Sequence, residues 1–92
     1  MFVVLLPGLV VAASDPVHPA DACAAATAEV SRNPGDGDAR TRLGWCRYRA
    51  SAFEEAAAIF ADELSRNVGD VDARVGLAFA QMQQGRIETA RS

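Results

Sequence analysis

The chain has 92 residues, of which 50% are hydrophobic and 23% charged, and its formal net charge at pH 7 is −3. This length accommodates one small domain at most, and such a domain buries only a modest part of its surface. The composition is ordinary for a folded, soluble domain. The negative charge argues against nucleic-acid binding, which normally requires a basic face.

The first thirteen residues form an apolar segment that differs from the rest of the chain. Residues 3–11 are apolar apart from Pro7-Gly8, and the segment ends in Val11-Ala12-Ala13. The run is too short to cross a bilayer comfortably, and its small-residue end is typical of a secretory signal peptide cleaved after Ala13. No Lys or Arg precedes the run, so an uncleaved anchor and a buried structural helix remain alternatives. We therefore expect a periplasmic or secreted protein, with a membrane-anchored one as the alternative.

After this segment, the pattern changes from linker to helix. Residues 14–19 contain two prolines that disfavour helix in the residues before them, which indicates an extended linker. Further on, Phe53, Ala56, Phe60 and Leu64 recur at the spacing of one helix face. Similar patterns predict helices at residues 20–32, 38–50, 53–66 and 72–84, and a further helix that begins at residue 87.

The chain repeats itself with an offset of 34 residues. Residues 33–40 (Asn-Pro-Gly-Asp-Gly-Asp-Ala-Arg) recur as residues 67–74 (Asn-Val-Gly-Asp-Val-Asp-Ala-Arg). The aspartates of each copy are natural N-caps for the helix that follows, so we expect caps from Asp36 or Asp38, and from Asp70 or Asp72. A glycine in each copy is expected to relieve the turn after the preceding helix; these are Gly35 and Gly69.

Period and residues together resemble the tetratricopeptide family, whose unit is a 34-residue pair of helices. Leu43-Gly44 is similar to the family's Leu-Gly pair, Phe53 and Ala56 to its helix-turn residues, and Phe60 to the aromatic of its second helix. The chain departs from the family where Arg and Ser replace an apolar residue and the mid-turn glycine. These departures are Arg40, Arg74 and Ser51.

The resemblance covers residues 20–92, with a full repeat at residues 37–70 and partial repeats on either side. It implies an all-α fold, an antiparallel solenoid of helical hairpins with about two repeats. Such arrays commonly need about three units and a polar capping helix. We therefore expect the chain to be a piece of a longer array.

By the same resemblance, the inner face of the array is lined by the first helix of each pair. Its predicted groove residues are Thr41, Trp45, Tyr48, Arg49, Val75, Phe79, Met82 and Gln83. Aromatic and Arg side chains are the usual anchors of binding patches, which predicts a site for a protein or peptide. The alternative is that Trp45 and Phe79 simply pack against a neighbouring helix.

The remaining polar residues predict no chemistry. Cys23 and Cys46 lie in consecutive predicted helices, and we favour free, buried thiols over a disulfide. His18 is the lone histidine and the cysteines are not closely spaced, so we expect neither a metal nor another cofactor. The carboxylates of the helix at residues 53–66 are expected to be solvated, and we predict no catalytic residue.

The sequence thus favours an interaction scaffold of the cell envelope rather than an enzyme. Residues 72–78 together with 84–86 resemble repeats of envelope proteins that support exopolysaccharide export. Two alternatives remain open. The chain is a membrane-tethered adaptor if its apolar start is retained, or a docking arm if a catalytic domain follows Ser92.

Overall fold

A computed structural model describes residues 23–91 of the chain. The predicted signal segment at residues 1–13, the linker at 14–19 and the first residues of the first predicted helix lie outside this range. Within it the chain is all-helical, which confirms the all-α part of the predicted fold. The four helices are α1 (Ala24–Arg32), α2 (Gly37–Arg49), α3 (Phe53–Arg66) and α4 (Val71–Arg91).

The two copies of the repeated motif begin their helices in the same way. An Asp36 Oδ1 atom accepts hydrogen bonds from the backbone N–H groups of Asp38 and Ala39, at 3.0 and 3.3 Å. Asp70 Oδ1 accepts from the N–H of Ala73 at 3.0 Å. The first aspartate of each copy is therefore the N-cap, and it satisfies donors that the helix start leaves free.

The turns before α2 and α4 use a different device from the predicted one. No glycine between residues 23 and 91 has a positive φ, so Gly35 and Gly69 do not relieve the turns as expected. Each turn closes instead through the asparagine that follows the preceding helix. The N–H of Asp36 donates to Asn33 O at 3.0 Å, and that of Asp70 donates to Asn67 O at 3.1 Å.

The turn from α2 to α3 has the one left-handed residue of the described chain. Ser51 has φ 65°, a conformation that L-residues with a Cβ adopt at a cost. The N–H of Ala52 donates to Arg47 O and that of Ser51 donates to Tyr48 O, both at 2.9 Å. This pair of bonds is the Schellman ending of a helix, in which glycine usually takes the place of Ser51.

The fourth helix continues past its predicted end. We expected it to stop near residue 84 and a new helix to begin at 87, but α4 runs unbroken from Val71 to Arg91. Gly85 stands at the repeat position of Ser51, and a glycine with helical φ weakens a helix without ending it. Residues 85–91 are all exposed, so no buried contact among residues 23–91 draws this segment back onto the core.

Phe60 is the centre of the core. Its side chain is fully buried with the small residues Ala56, Ala73 and Ala80. A Cβ added to Gly44 of α2 would lie 2.6 Å from Phe60 Cε1, and one added to Gly76 of α4 would lie closer still. The absence of a side chain at these two positions therefore lets α2 and α4 both close on the Phe60 ring.

A buried ion pair joins α2 to α3. The Nε atom of Arg40 lies 2.9 Å from Glu63 Oε1, and the two residues are only 7% and 2% exposed. The Arg40 guanidinium also donates to the Pro34 carbonyl, and its repeat equivalent Arg74 donates to the Val68 carbonyl. Both arginines thus bind the turn that precedes their helix, and in the first copy Arg40 also pairs with a carboxylate of the next helix.

The two cysteines form a disulfide, so the expectation of free thiols was wrong. Cys23, at the start of α1, and Cys46, in α2, have Cα atoms 5.7 Å apart. That separation lies within the range that a disulfide spans. The bond therefore ties the beginning of α1 to the last turn of α2.

Candidate functional site

Three of the predicted groove residues meet where α2 and α4 pass each other. The Trp45 ring centroid lies 5.5 Å from that of Tyr48 and 6.2 Å from that of Phe79, and the Tyr48 and Phe79 centroids are 6.3 Å apart. We call Trp45, Tyr48 and Phe79 the aromatic seam. Its edge-on and tilted contacts are geometries that aromatic rings prefer.

The seam is held in place by polar bonds at its margins. Trp45 Nε1 donates to the carboxylate of Asp72 at 3.3 Å. Gln83 Nε2 donates to Tyr48 Oη at 3.2 Å. Both bonds join α2 to α4, so they fix the rings relative to each other.

The seam continues along α4 as an exposed row of apolar side chains. Val75, Phe79 and Met82 follow one another at spacings of four and three residues, and they are 42%, 43% and 51% exposed. We call these three residues the apolar strip. Large apolar side chains that remain exposed side by side are characteristic of contact surfaces.

Two further predicted residues lie in different surroundings from each other. Thr41 is buried, with 6% exposure, and its hydroxyl donates to Gly37 O at 2.9 Å, so it offers no group at the surface. Arg49 is exposed at the end of α2 and makes no ion pair with any residue in the range 23–91. The structure therefore brings together the seam, the strip and Arg49, and sets Thr41 apart in the interior.

The sequence interpretation missed three contributors. Phe60 and Phe53 were assigned to the buried face of α3, yet their rings lie 5.1 Å from Trp45 and 5.3 Å from Tyr48. Asp72 was considered only as an N-cap. Because Asp70 holds that role, the Asp72 carboxylate is left to receive Trp45. Sequence spacing does not settle which of these two aspartates, two positions apart, is the cap.

Neither a metal site nor a membrane-spanning helix is found among residues 23–91. Between residues 23 and 91, no three His, Cys, Asp or Glu side chains come together as metal ligands would. None of α1 to α4 combines the length and the hydrophobicity that crossing a membrane requires.

Neither a protein-family model, nor a curated protein, nor a solved structure matches this chain.

Proposed function

We propose that this chain is an interaction module of the tetratricopeptide type, which acts by binding a peptide or protein segment over the aromatic seam and the apolar strip. The observation that carries this proposal is the partial exposure of Phe79 and Met82 beside rings that are already fixed. A partner that covers them buries apolar surface, and little conformational entropy is lost because the rings are already ordered. Arg49, at the end of the same helix as Trp45, adds a charged anchor.

The solenoid part of the proposal is supported by the way in which the repeated motif folds. Asp36 and Asp70 cap their helices in the same manner, and Arg40 and Arg74 each reach the carbonyl of the residue six positions earlier. Bonds that recur with the 34-residue offset are expected of stacked repeats, in which each unit contacts its neighbours.

The disulfide supports a location outside the reducing cytosol. Bonds such as Cys23–Cys46 persist in the periplasm and in secreted proteins, and they are rare where thiols are kept reduced. An exported scaffold of the cell envelope is therefore our proposed setting. The link to exopolysaccharide export rests on the sequence resemblance of residues 72–78 and 84–86.

The proposal is tested by selecting peptides from a random displayed library on the full, oxidised chain. Selected peptides are then titrated while the emission of Trp45 is followed, since the chain has one tryptophan. We expect selected peptides to change this emission. Phe79→Ala should raise their Kd by roughly tenfold or more, as truncation of a central aromatic anchor commonly does.

Ile87→Ala is the matched control, because Ile87 is a large apolar residue of the same helix, is 39% exposed and lies beside the α2–α3 turn instead of the seam. It should leave the Kd unchanged. The proposal fails if no peptide is enriched, or if both substitutions weaken binding equally.

A further inference from the structure

We infer that the partner segment is acidic, and that its carboxylates bind in a second groove, between α1 and α2, next to the aromatic seam. This inference rests on the proposed function and specifies the chemistry of the partner. The groove is open to solvent and encloses about 640 Å³. We call it the arginine groove, and the residues that matter to it are Glu29, Arg32, Arg42, Trp45, Cys46 and Arg49.

The groove is positively charged in a chain that is negative overall. Three arginines and one glutamate line it. Glu29 is paired with Arg42, whose Nη2 atom lies 2.7 Å from Glu29 Oε2. Arg32 and Arg49 are exposed and form no ion pair with any residue of the described range. Within residues 23–91, these two guanidinium groups therefore have no carboxylate partner.

The internal repeat provides a control for this charge, because α3 and α4 carry the equivalent positions 34 residues later. Gly76 replaces Arg42, and Gln83 replaces Arg49. Arg66 does replace Arg32, but its Nε atom lies 3.2 Å from Asp62 Oδ2. The repeat fold thus forms without free positive charge at these positions.

The corresponding neutralising residue is missing beside Arg32. The repeat position of Asp62 is Ala28, which has no carboxylate to offer. A last-turn arginine is favourable at any helix C-terminus, which accounts for the presence of Arg32 and Arg66 but not for the loss of one partner. The charge of the arginine groove is therefore a property of this unit alone.

Trp45 joins the groove to the rest of the proposed site. Its ring lines the arginine groove and also contacts Phe79 of the apolar strip. A segment lying across Trp45 would place carboxylates against the arginines and apolar side chains against Phe79 and Met82. Guanidinium groups bind carboxylates through paired, charge-assisted hydrogen bonds. A peptide with acidic and apolar residues suits both halves, whereas an acidic polysaccharide offers no apolar side chain for the strip.

The test uses two labelled synthetic peptides on the full, oxidised chain. One alternates Glu with Leu over twelve positions, and the other has Gln in place of every Glu. Anisotropy gives the Kd, and Trp45 emission reports contact with the groove. We expect the Glu peptide to bind at least tenfold more tightly than the Gln peptide, with an advantage that shrinks as salt is added.

Neutral substitutions of the two unpaired arginines test whether the Glu peptide binds at the arginine groove. The double variant Arg32→Gln with Arg49→Gln should weaken binding of the Glu peptide at least tenfold. The matched double variant Arg66→Gln with Arg91→Gln removes the same charge from exposed positions outside the groove. It should leave the Kd within twofold.

The possible outcomes separate this inference from the proposed function. Peptides that bind at Phe79 with no preference for Glu, or equal losses in the two double variants, overturn the arginine groove and leave the proposed function intact. Binding of an oligo-uronate at the groove without binding of the Glu peptide overturns the assignment to a peptide. If neither peptide binds and the library selection also yields none, both proposals fail.

Discussion

At the scale of single residues, the packing around Phe60 depends on two positions that have no side chain. Gly44 of α2 and Gly76 of α4 both approach the Cε1 and Cζ atoms of the same ring. The ring is fully buried, so it has no solvent-facing space into which it could move. An aromatic ring in that position resists displacement more than the end of a flexible side chain would.

The first prediction therefore concerns Gly76→Ala. The added methyl group collides with the Phe60 ring, and overpacking of this kind typically costs about 1–3 kcal/mol. Alanine favours helix over glycine by roughly 0.5–1 kcal/mol, which offsets part of that cost. We expect a lower free energy of unfolding, measured by urea denaturation followed by circular dichroism.

Gly85→Ala is the control, because it makes the same substitution in the same helix. A Cβ at Gly85 meets nothing within 4 Å. Only the helix preference remains, so this variant should be more stable by roughly 0.5–1 kcal/mol. If both substitutions raise the free energy of unfolding, the Phe60 ring accommodates a methyl group at position 76, and the prediction is wrong.

What the sequence predicts at this scale depends on how far apart the partners are along the chain. A cap from Asp36 or Asp38, and one from Asp70 or Asp72, was predicted, because a cap acts on residues two or three positions away. The pairing of Arg40 with Glu63 was not, since the two are separated by 23 residues and the packing of α2 on α3 decides whether they meet. The resemblance predicts an apolar residue at position 40, so the carboxylate that balances Arg40 became evident only from the structure.

At the scale of elements, the repeat places two alanines at the positions that correspond to the disulfide. Positions 34 residues after Cys23 and Cys46 are Ala57 and Ala80. Ala80 is fully buried, and Ala57 is partly buried against the same core cluster. If α3 crosses α4 as α1 crosses α2, these alanines have Cα atoms at a similar distance to the 5.7 Å of the cysteines.

The second prediction is that Ala57→Cys combined with Ala80→Cys forms a second disulfide. The spacing lies within the range for such bonds, and a cross-link of this loop length typically adds about 2–4 kcal/mol. Peptide mapping without reductant should recover residues 57 and 80 linked. Under oxidising conditions the variant should melt at a higher temperature than the parent chain, and reduction should remove the difference.

A register control accompanies this variant. Ala58→Cys with Ala80→Cys moves one thiol to the next, exposed residue of α3, which points about 100° away around the helix. It should give no such linkage. A bond between 58 and 80 in place of 57 and 80 would contradict the equivalence of the two helix crossings.

The helices show which elements a sequence can define. The end of α3 at residue 66 and the starts of α2 and α4 to within one residue were predicted, because caps and apolar periodicity are local signals. The end of α4 was not, because Gln84-Gly85-Arg86 forms a turn only if the residues that follow have a surface on which to pack.

The aromatic seam was predicted in part. Its members were predicted from the repeat, but their contacts with Phe60, Phe53 and Asp72 follow from how α2, α3 and α4 pack together.

At the scale of the whole molecule, α1 is attached differently from the other helices. None of its residues from Ala24 to Arg32 is buried, whereas α2, α3 and α4 all contribute buried residues. It is joined to α2 by the Cys23–Cys46 bond and by the exposed pair of Glu29 with Arg42. An exposed pair of this kind is worth about 0–1 kcal/mol, so the disulfide is the stronger of these two links.

The third prediction is that reduction frees α1 and leaves the remaining helices folded. An isolated helix of nine residues is marginal in water, so α1 should unfold once the bond is broken. Hydrogen exchange on the reduced full chain should show loss of protection for amides in α1, with protection retained in α3 around Phe60. The variant Cys23→Ser with Cys46→Ala should show the same pattern before and after reductant.

Because α1 forms one wall of the arginine groove, the reduced chain should also lose the preference for the Glu peptide while retaining contact of Leu side chains with Phe79. Uniform loss of protection across α1 to α4 would instead mean that the disulfide supports the whole core.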